Sequence, residues 1–130
     1  MKRVLVADDK ESSREFVRTV LEHAGYVVAE AADGREALAK VREDPPDLVV
    51  LDLHMPGLDG FAVMEALRQD ARYFSLPVVA LTASAMQGDR ERALAAGFVD
   101  YMTKPISVNV LRNRLLDLLA VKGVTDESMS

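Results

Sequence analysis

Short apolar runs recur along the chain at residues 4–7, 26–29, 48–51 and 78–81, with a weaker one at 98–102. The four stronger runs are rich in Val and Leu and show no polar alternation. Strands read this way when helices cover both of their faces, as in a parallel sheet. Between the runs lie stretches with helical spacing. Phe16, Val17, Val20, Leu21 and Ala24 fall on one helical face, Ala37, Leu38 and Val41 on a second, and Val63, Met64 and Leu67 on a third. Leu111, Leu115 and Leu118 mark a last helix. The fourth helix, about 90–96, has only Ala and Leu as apolar residues and is weakly marked by periodicity; its end is better marked, because Gly97 suits a C-cap.

Punctuation agrees with this register. Gly25 ends the first helix, Asp33-Gly34 opens the second, Pro45-Pro46 precedes the third strand and Pro77 the fourth. The pattern is therefore (βα)5, an α/β doubly wound parallel five-stranded sheet with right-handed crossovers. Ligands in such sheets sit beyond the carboxyl ends of the strands, near the point where strand order reverses. The 130 residues suffice for one domain, read as residues 1–122, with a small polar tail at 123–130 that reads as disordered and too short to be an effector.

Composition narrows the function. Cysteine is absent, which excludes disulfides and thiolate metal sites. The N-terminal apolar run is too short for a signal-peptide core, and no run approaches the roughly 20 residues that span a bilayer. A soluble, cytoplasmic protein without a membrane partner is expected. The formal net charge of -5 argues against a nucleic-acid surface, so direct DNA binding is not expected.

The polar residues at strand ends carry the chemistry. Asp8 and Asp9 follow the first strand, Asp52 ends the third, Thr82 ends the fourth and Lys104 follows the fifth. The fold brings all five to one edge of the sheet. Three carboxylates pressed together raise one another's proton affinity unless a cation sits among them. Mg2+ fits, since it prefers oxygen ligands and keeps several waters, so that one or two carboxylates and a backbone carbonyl suffice. Asp9 and Asp52 are expected as direct ligands, with the backbone carbonyl of His54 as the third and Asp8 acting through water. Asp52 is also the expected nucleophile toward a phosphoryl donor, forming an acyl phosphate. Phosphoryl transfer asks mainly for positioning and charge stabilisation, which the Lys104 ammonium and the metal supply from two sides, while Thr82 donates a hydroxyl hydrogen bond.

Each residue has an ordinary explanation as well. Asp8 or Asp9 serves as a cap of the first helix, Asp52 as the start of a turn, Thr82 as a cap of the fourth helix and Lys104 as a solvated side chain. Independent capping does not, however, place acid, acid, hydroxyl and amine at four strand ends on one side. Pro56, Gly57 and Gly60 read as structural, and Arg90, Arg92, Arg112 and Arg114 as solvated.

Val6-Ala7-Asp8-Asp9, the loop Leu51-Asp52-Leu53-His54-Met55-Pro56-Gly57-Leu58-Asp59-Gly60, Leu81-Thr82-Ala83 and Tyr101-Met102-Thr103-Lys104-Pro105 together resemble receiver domains of bacterial two-component response regulators, over about residues 3–120. The resemblance implies a flavodoxin-like fold with strand order 2-1-3-4-5. It also implies phosphorylation of Asp52 by a sensor histidine kinase or histidine phosphotransfer protein, Mg2+ dependence and slow self-catalysed dephosphorylation, with no other enzymatic activity. By the same resemblance His54 and Ser84 tune dephosphorylation and the Lys104–Pro105 bond is cis. Thr82 and Tyr101 form the switch, and a downstream protein target reads the face of the fourth helix, fifth strand and fifth helix. Packing alone accounts equally well for a half-buried Tyr101 on an edge strand. The leading expectation is a stand-alone switch, although residues 82–96 are also similar to receivers fused to hybrid histidine kinases.

Two rival functions fit less well. A metal-dependent phosphatase working through an aspartyl phosphate needs a general acid near its nucleophile, and no acid stands two residues after Asp52. A flavin- or nucleotide-binding module needs a Gly-rich first loop, whereas Asp8-Asp9-Lys10-Glu11 repels a phosphate.

Overall fold

The apolar runs become the strands of one parallel sheet. The computed structural model describes residues 2–83 and 88–128, with side chains described through residue 119. In chain order it contains β1 (Arg3–Ala7), α1 (Glu11–His23), β2 (Val27–Ala31), α2 (Gly34–Glu43), β3 (Leu48–Asp52), α3 (Gly60–Gln69), a 3-10 turn (Ala71–Tyr73), β4 (Val78–Thr82), α4 (Asp89–Ala96), β5 (Asp100–Thr103) and α5 (Val108–Ser128). The strands lie in the order β2-β1-β3-β4-β5, all neighbours parallel, so β1 and β3 flank the reversal. This is the flavodoxin-like topology that the resemblance implied.

Successive side chains of each strand enter opposite layers. Leu5, Ala7, Val49, Leu51, Val78, Ala80 and Tyr101 pack with Leu38 and Val41 of α2, Val63, Met64 and Leu67 of α3, and Ala93 of α4. Val4, Val6, Leu48, Val50, Val79, Leu81 and Met102 pack with Val17, Val20 and Leu21 of α1 and with Leu111, Leu115 and Leu119 of α5. Both faces are thus covered, which is why the runs lack polar alternation. Burying a large aliphatic side chain contributes about 1.5–3 kcal/mol. Two fully used strand faces therefore hold the sheet without cross-links.

Element ends follow local chemistry. Asp33 caps α2 by accepting the Glu36 N–H (2.8 Å), and Asp59 caps α3 by accepting the Ala62 N–H (2.9 Å). Gly97 ends α4 with φ of 109°, as its sequence position predicts. The same cap moves the start of β5 from the expected residue 98 to Asp100. Phe98 turns its N–H back to the Ala93 carbonyl (3.1 Å) and buries its side chain, so it closes the helix instead of opening the strand. The 3-10 turn was not expected; Asp70 holds it by accepting the Arg72 N–H (3.0 Å). Helical backbone of α5 runs past the expected boundary at 122 to Ser128, since extending a helix already nucleated adds one bond per residue fixed. Among the described residues, no helix is long and apolar enough to cross a membrane.

Candidate functional site

Three strand ends meet at the carboxyl edge of the sheet. Strand alternation sends Asp8 to the same layer as Val4 and Val6, and Asp52 to the layer of Leu48 and Val50. Because β1 and β3 are neighbours, the two acids stand side by side. One oxygen from each of Asp8, Asp9 and Asp52 lies within 4.8 Å of the others. Asp8 and Asp52 are buried while Asp9 is exposed, so the cluster opens to solvent on the Asp9 side.

Lys104 reaches in from the end of β5. Its Nζ stands 2.7 Å from Oδ2 of Asp8 and 3.6 Å from Oδ2 of Asp52. The Asp8 contact is an ion pair off the hydrogen-bonding direction, leaving this buried oxygen without a hydrogen-bond donor. Backbone bonds orient the rest. Asp52 Oδ1 accepts the His54 N–H (3.1 Å), which makes Asp52 the start of a turn as well as a site residue. Asp8 Oδ1 accepts the Lys10 N–H (2.9 Å), so Asp8 folds its own turn and neither Asp8 nor Asp9 caps α1, whose N-cap is Lys10. Lys104 is tied to β4 by its own N–H, which donates to the Thr82 carbonyl (2.7 Å).

Gly60 is fixed by close approach. A Cβ there would lie 2.6 Å from the Asp52 carbonyl oxygen and 2.8 Å from the Leu53 Cα. The start of α3 is thus pressed against the backbone that carries Asp52, with the Gly60 N–H bonded to the Leu53 carbonyl (3.1 Å).

Electrostatics mark Asp52. Burial pushes its carboxyl up to about 6 from an ordinary 3.8; the His54 N–H and Lys104 lower it, while Asp8 raises it further. An all-oxygen donor set of three carboxylates beside one ammonium, open to solvent on the Asp9 side, matches what a hard divalent cation requires.

The remaining expected residues are placed as follows. Thr82 is fully buried and shares the layer of Ala80, the layer that also holds Tyr101. Tyr101 is buried, not half-buried, and its hydroxyl finds no hydrogen-bond partner among the described residues. Burial, with Asp89 nearby, pushes the pKa of its hydroxyl up and so disfavours ionisation. The His54 side chain is exposed. Ser84 lies outside the described residues. The Lys104–Pro105 bond is cis. Two arginines read as solvated have partners: Arg92 lies 4.1 Å over the Phe61 ring, and Arg114 pairs with Asp100 at 3.2 Å.

Sequence reasoning missed one group. Arg14 donates to the Asp8 carbonyl (2.8 Å) and to Glu30 (3.1 Å), joining α1, β2 and the acidic turn. Nothing in the spacing pairs residues 14 and 30, since the contact depends on β2 lying beside β1.

Comparison with known proteins agrees with this geometry. The family model described as "Response regulator receiver domain" matches residues 4–116. The chain is 41% identical over 125 residues to Response regulator PleD of Caulobacter vibrioides, covering 96% of this chain and 28% of that protein. It is 42% identical over 118 residues to the alkaline phosphatase synthesis transcriptional regulatory protein PhoP of Bacillus subtilis, covering 91% and 48%. The chain thus spans under half the length of both. The structure of the chemotaxis response regulator CheY4 of Vibrio cholerae superposes with a TM-score of 0.84 at 35% identity, covering 90% of this chain and 98% of that one. With the acidic triad, the strand-end lysine and the strand order all in place, the chain belongs to the response regulator receiver domain family.

Proposed function

We propose that this domain is a Mg2+-dependent phosphoacceptor switch in two-component signalling, with Asp52 as the residue phosphorylated. The observation that carries the reading is the meeting of Asp8, Asp9 and Asp52 within 4.8 Å beside Lys104. Asp9, Asp52 and the backbone carbonyl of His54 would hold Mg2+, with Asp8 acting through water; when bound, the ion supplies charge neutralisation at the phosphoryl oxygens.

The chain's own groups do the rest. An Asp52 oxygen attacks phosphorus, and the bond from phosphorus to the donor's leaving atom breaks with its electron pair departing on the donor. That atom is an imidazole nitrogen in a phosphohistidine and a carboxylate oxygen in a small acyl phosphate. Raised only to about 6, Asp52 is mainly ionised at neutral pH and competent as a nucleophile. Lys104, held in place by its bond to the Thr82 carbonyl, turns its ammonium from Asp8 to the new dianion. The Thr82 hydroxyl donates to a second phosphoryl oxygen. Hydrolysis by water returns the carboxylate, and the exposed side chain of His54, with Ser84, tunes its rate. The domain has no other enzymatic activity.

Output runs through the layer that Thr82 shares with Tyr101. The face of α4, β5 and α5 carries a cavity of about 500 Å³ lined by Arg90, Tyr101, Met102, Ile106 and Arg114 among others. The phosphodonor is a sensor histidine kinase or a histidine phosphotransfer protein, the reader is a downstream protein target, and the setting is the cytoplasm. Incubation with Mg2+ and acetyl phosphate, followed by intact mass and mapping, tests the chemistry. One base-labile phosphoryl group is expected on Asp52 and none on Asp52→Asn. A stable adduct on Ser, Thr or His refutes the assignment.

A further inference from the structure

Asp8 is anchored from three directions. Its N–H donates to the Ala31 carbonyl of β2 (3.1 Å), its Oδ1 accepts the Lys10 N–H (2.9 Å), and its carbonyl accepts from Nη1 of Arg14 (2.8 Å). The third bond ties the acidic turn to the second turn of α1. It matters because Lys10, the N-cap of α1, makes no side-chain cap bond, so the usual device for fixing a chain's entry into a helix is missing. Arg14 is itself held. Its Nε donates to Oε1 of Glu30 (3.1 Å), while Arg18 takes Oε2 of the same carboxylate (2.8 Å). Arg18, with help from Arg14 and against the effect of desolvation, keeps Glu30 below the usual carboxylate range. The Arg14 side chain is 17% exposed, which leaves it little room to leave this arrangement.

We infer that Arg14 is a positioning residue for the cation site: clamped by Glu30, its guanidinium fixes the Asp8 carbonyl and so sets how Asp8 and Asp9 face a divalent cation. The inference rests on the reading that the acidic cluster takes Mg2+. Arg14 touches none of the three carboxylate groups of the cluster in the described contacts; it acts through the backbone of one of them. Groups bonded directly to a metal ligand alter affinity by about 10–100-fold when removed, and Arg14, bonded to the peptide that joins Asp8 to the expected ligand Asp9, is expected at the low end of that range.

Charge and positioning predict opposite signs, which makes the inference testable. A positive charge beside a cation site repels the cation, so removing Arg14 for charge reasons alone would tighten binding. Removing it as a positioning group weakens binding. Lysine in its place separates the two again, because an ammonium keeps the charge but cannot present a planar fork to both the Asp8 carbonyl and Glu30.

The experiment titrates the full chain with Mg2+ while following the amide shifts of Asp9, Lys10 and Asp52 by NMR, in the wild type, Arg14→Ala, Arg14→Lys and Arg18→Ala. The Kd is expected to rise about tenfold or more in Arg14→Ala and Arg14→Lys. It is expected to stay within about a factor of two in Arg18→Ala, which loses a Glu30 partner without touching Asp8. Without metal, the Lys10 amide should exchange faster in both Arg14 variants. An Arg14→Ala Kd equal to or below the wild-type value overturns the inference, as does a wild-type Kd in Arg14→Lys or an equal loss in Arg18→Ala. Should Arg14→Ala not fold, Arg14→Lys decides alone. A wild type that binds no Mg2+ sinks the cation-site reading and this inference with it, whereas normal wild-type binding with unaffected variants sinks only the role of Arg14.

Discussion

Replacing Asp52 with Asn should make the metal-free protein more stable at neutral pH, although it removes the residue proposed to accept the phosphoryl group. Asp52 is only 3% exposed, and burial, reinforced by Asp8 and opposed by the His54 N–H and Lys104, lifts its carboxyl from 3.8 to about 6. The folded state therefore binds this proton more tightly than the unfolded chain. Stability from this group is fully present below about pH 4 and is lost as pH rises through about 6. Each unit of pKa corresponds to about 1.4 kcal/mol, so the two-unit rise costs about 3 kcal/mol at pH 7 and above. Asn keeps an acceptor for the His54 N–H and carries no charge to desolvate. Urea unfolding followed by far-UV circular dichroism, with a chelator present and in steps from about pH 4 to 8, gives the difference between variant and wild type. Glu30, Asp44 and Asp70, whose carboxyls are held below their ordinary values, lose stability in the opposite sense as pH falls, and they cancel in that difference. The expected curve is near zero at about pH 4 and favours Asp52→Asn by about 3 kcal/mol at pH 7. Mg2+ at about a hundred times its Kd should restore about 2.7 kcal/mol to the wild type and much less to the variant. A variant less stable than the wild type at neutral pH without metal, or a difference that is flat with pH, would refute this account of the site.

Other outcomes follow from single contacts. Asp9→Ala should abolish the rise in Tm with Mg2+ while changing the metal-free Tm little, since Asp9 is exposed; an unchanged Mg2+ response counts against the cluster. Gly60→Ala places a Cβ 2.6 Å from the Asp52 carbonyl oxygen and should cost about 1–3 kcal/mol by urea unfolding, with weaker Mg2+ binding because the Asp52 backbone must move. Arg68→Ala removes the guanidinium that bonds the Tyr73, Leu76 and Gly97 carbonyls, each at 3.0 Å, and should cost about 2–3 kcal/mol; a loss under about 1 kcal/mol would mean that water replaces it. Thr82→Ala should still accept phosphate on Asp52 yet lose much of the amide-shift response at Tyr101 and α4 to beryllofluoride, a response that in the wild type should extend beyond the metal ligands.

The sheet was legible in the sequence because two-sided burial leaves a plain mark, and runs such as 48–51 and 78–81 fall inside the strands that form. The meeting of Asp8, Asp9, Asp52 and Lys104 was legible for a topological reason: in a parallel sheet every strand's carboxyl end lies on the same edge, so residues far apart in sequence can be assigned to one place from strand ends alone. What depends on neighbours in space was not legible. The start of β5 moved because Phe98 is claimed by the cap of α4, and Arg14 was missed because its partners are a carbonyl in one loop and a carboxylate on an edge strand. Tyr101 was read as half-buried because an edge strand leaves one side open, whereas the cover that buries it comes from elements whose apolar content is slight. Arg92 and Arg114 stay exposed, as read, and only packing reveals their contacts with Phe61 and Asp100.

Strand alternation also divides the candidate site between the two layers of the sheet. Asp8 and Asp52 project into the layer of α1 and α5, and Lys104 follows the alternation of Met102 into the same layer, so three charged groups of the candidate site lie on one side of the sheet, with Asp9 exposed at its edge. Among the buried residues Asp8, Asp52 and Thr82, only Thr82 alternates into the other layer, two residues along β4 from Ala80, the register partner of Tyr101. A charge added at Asp52 would act on the first layer directly through Lys104, but it can bias the second only by drawing on a group already there. The Thr82 hydroxyl is that group. α4, which borders that layer, is weakly held, since Ala93 is its buried residue, and the Tyr101 hydroxyl is buried with no hydrogen-bond partner among the described residues. An element held by little apolar burial sits at the low end of local stability, where a single new hydrogen bond of about 1.5–3 kcal/mol to a charged acceptor is enough to shift its population. The same alternation that hides the strands from water therefore places the one neutral donor of the site where the fold yields most easily.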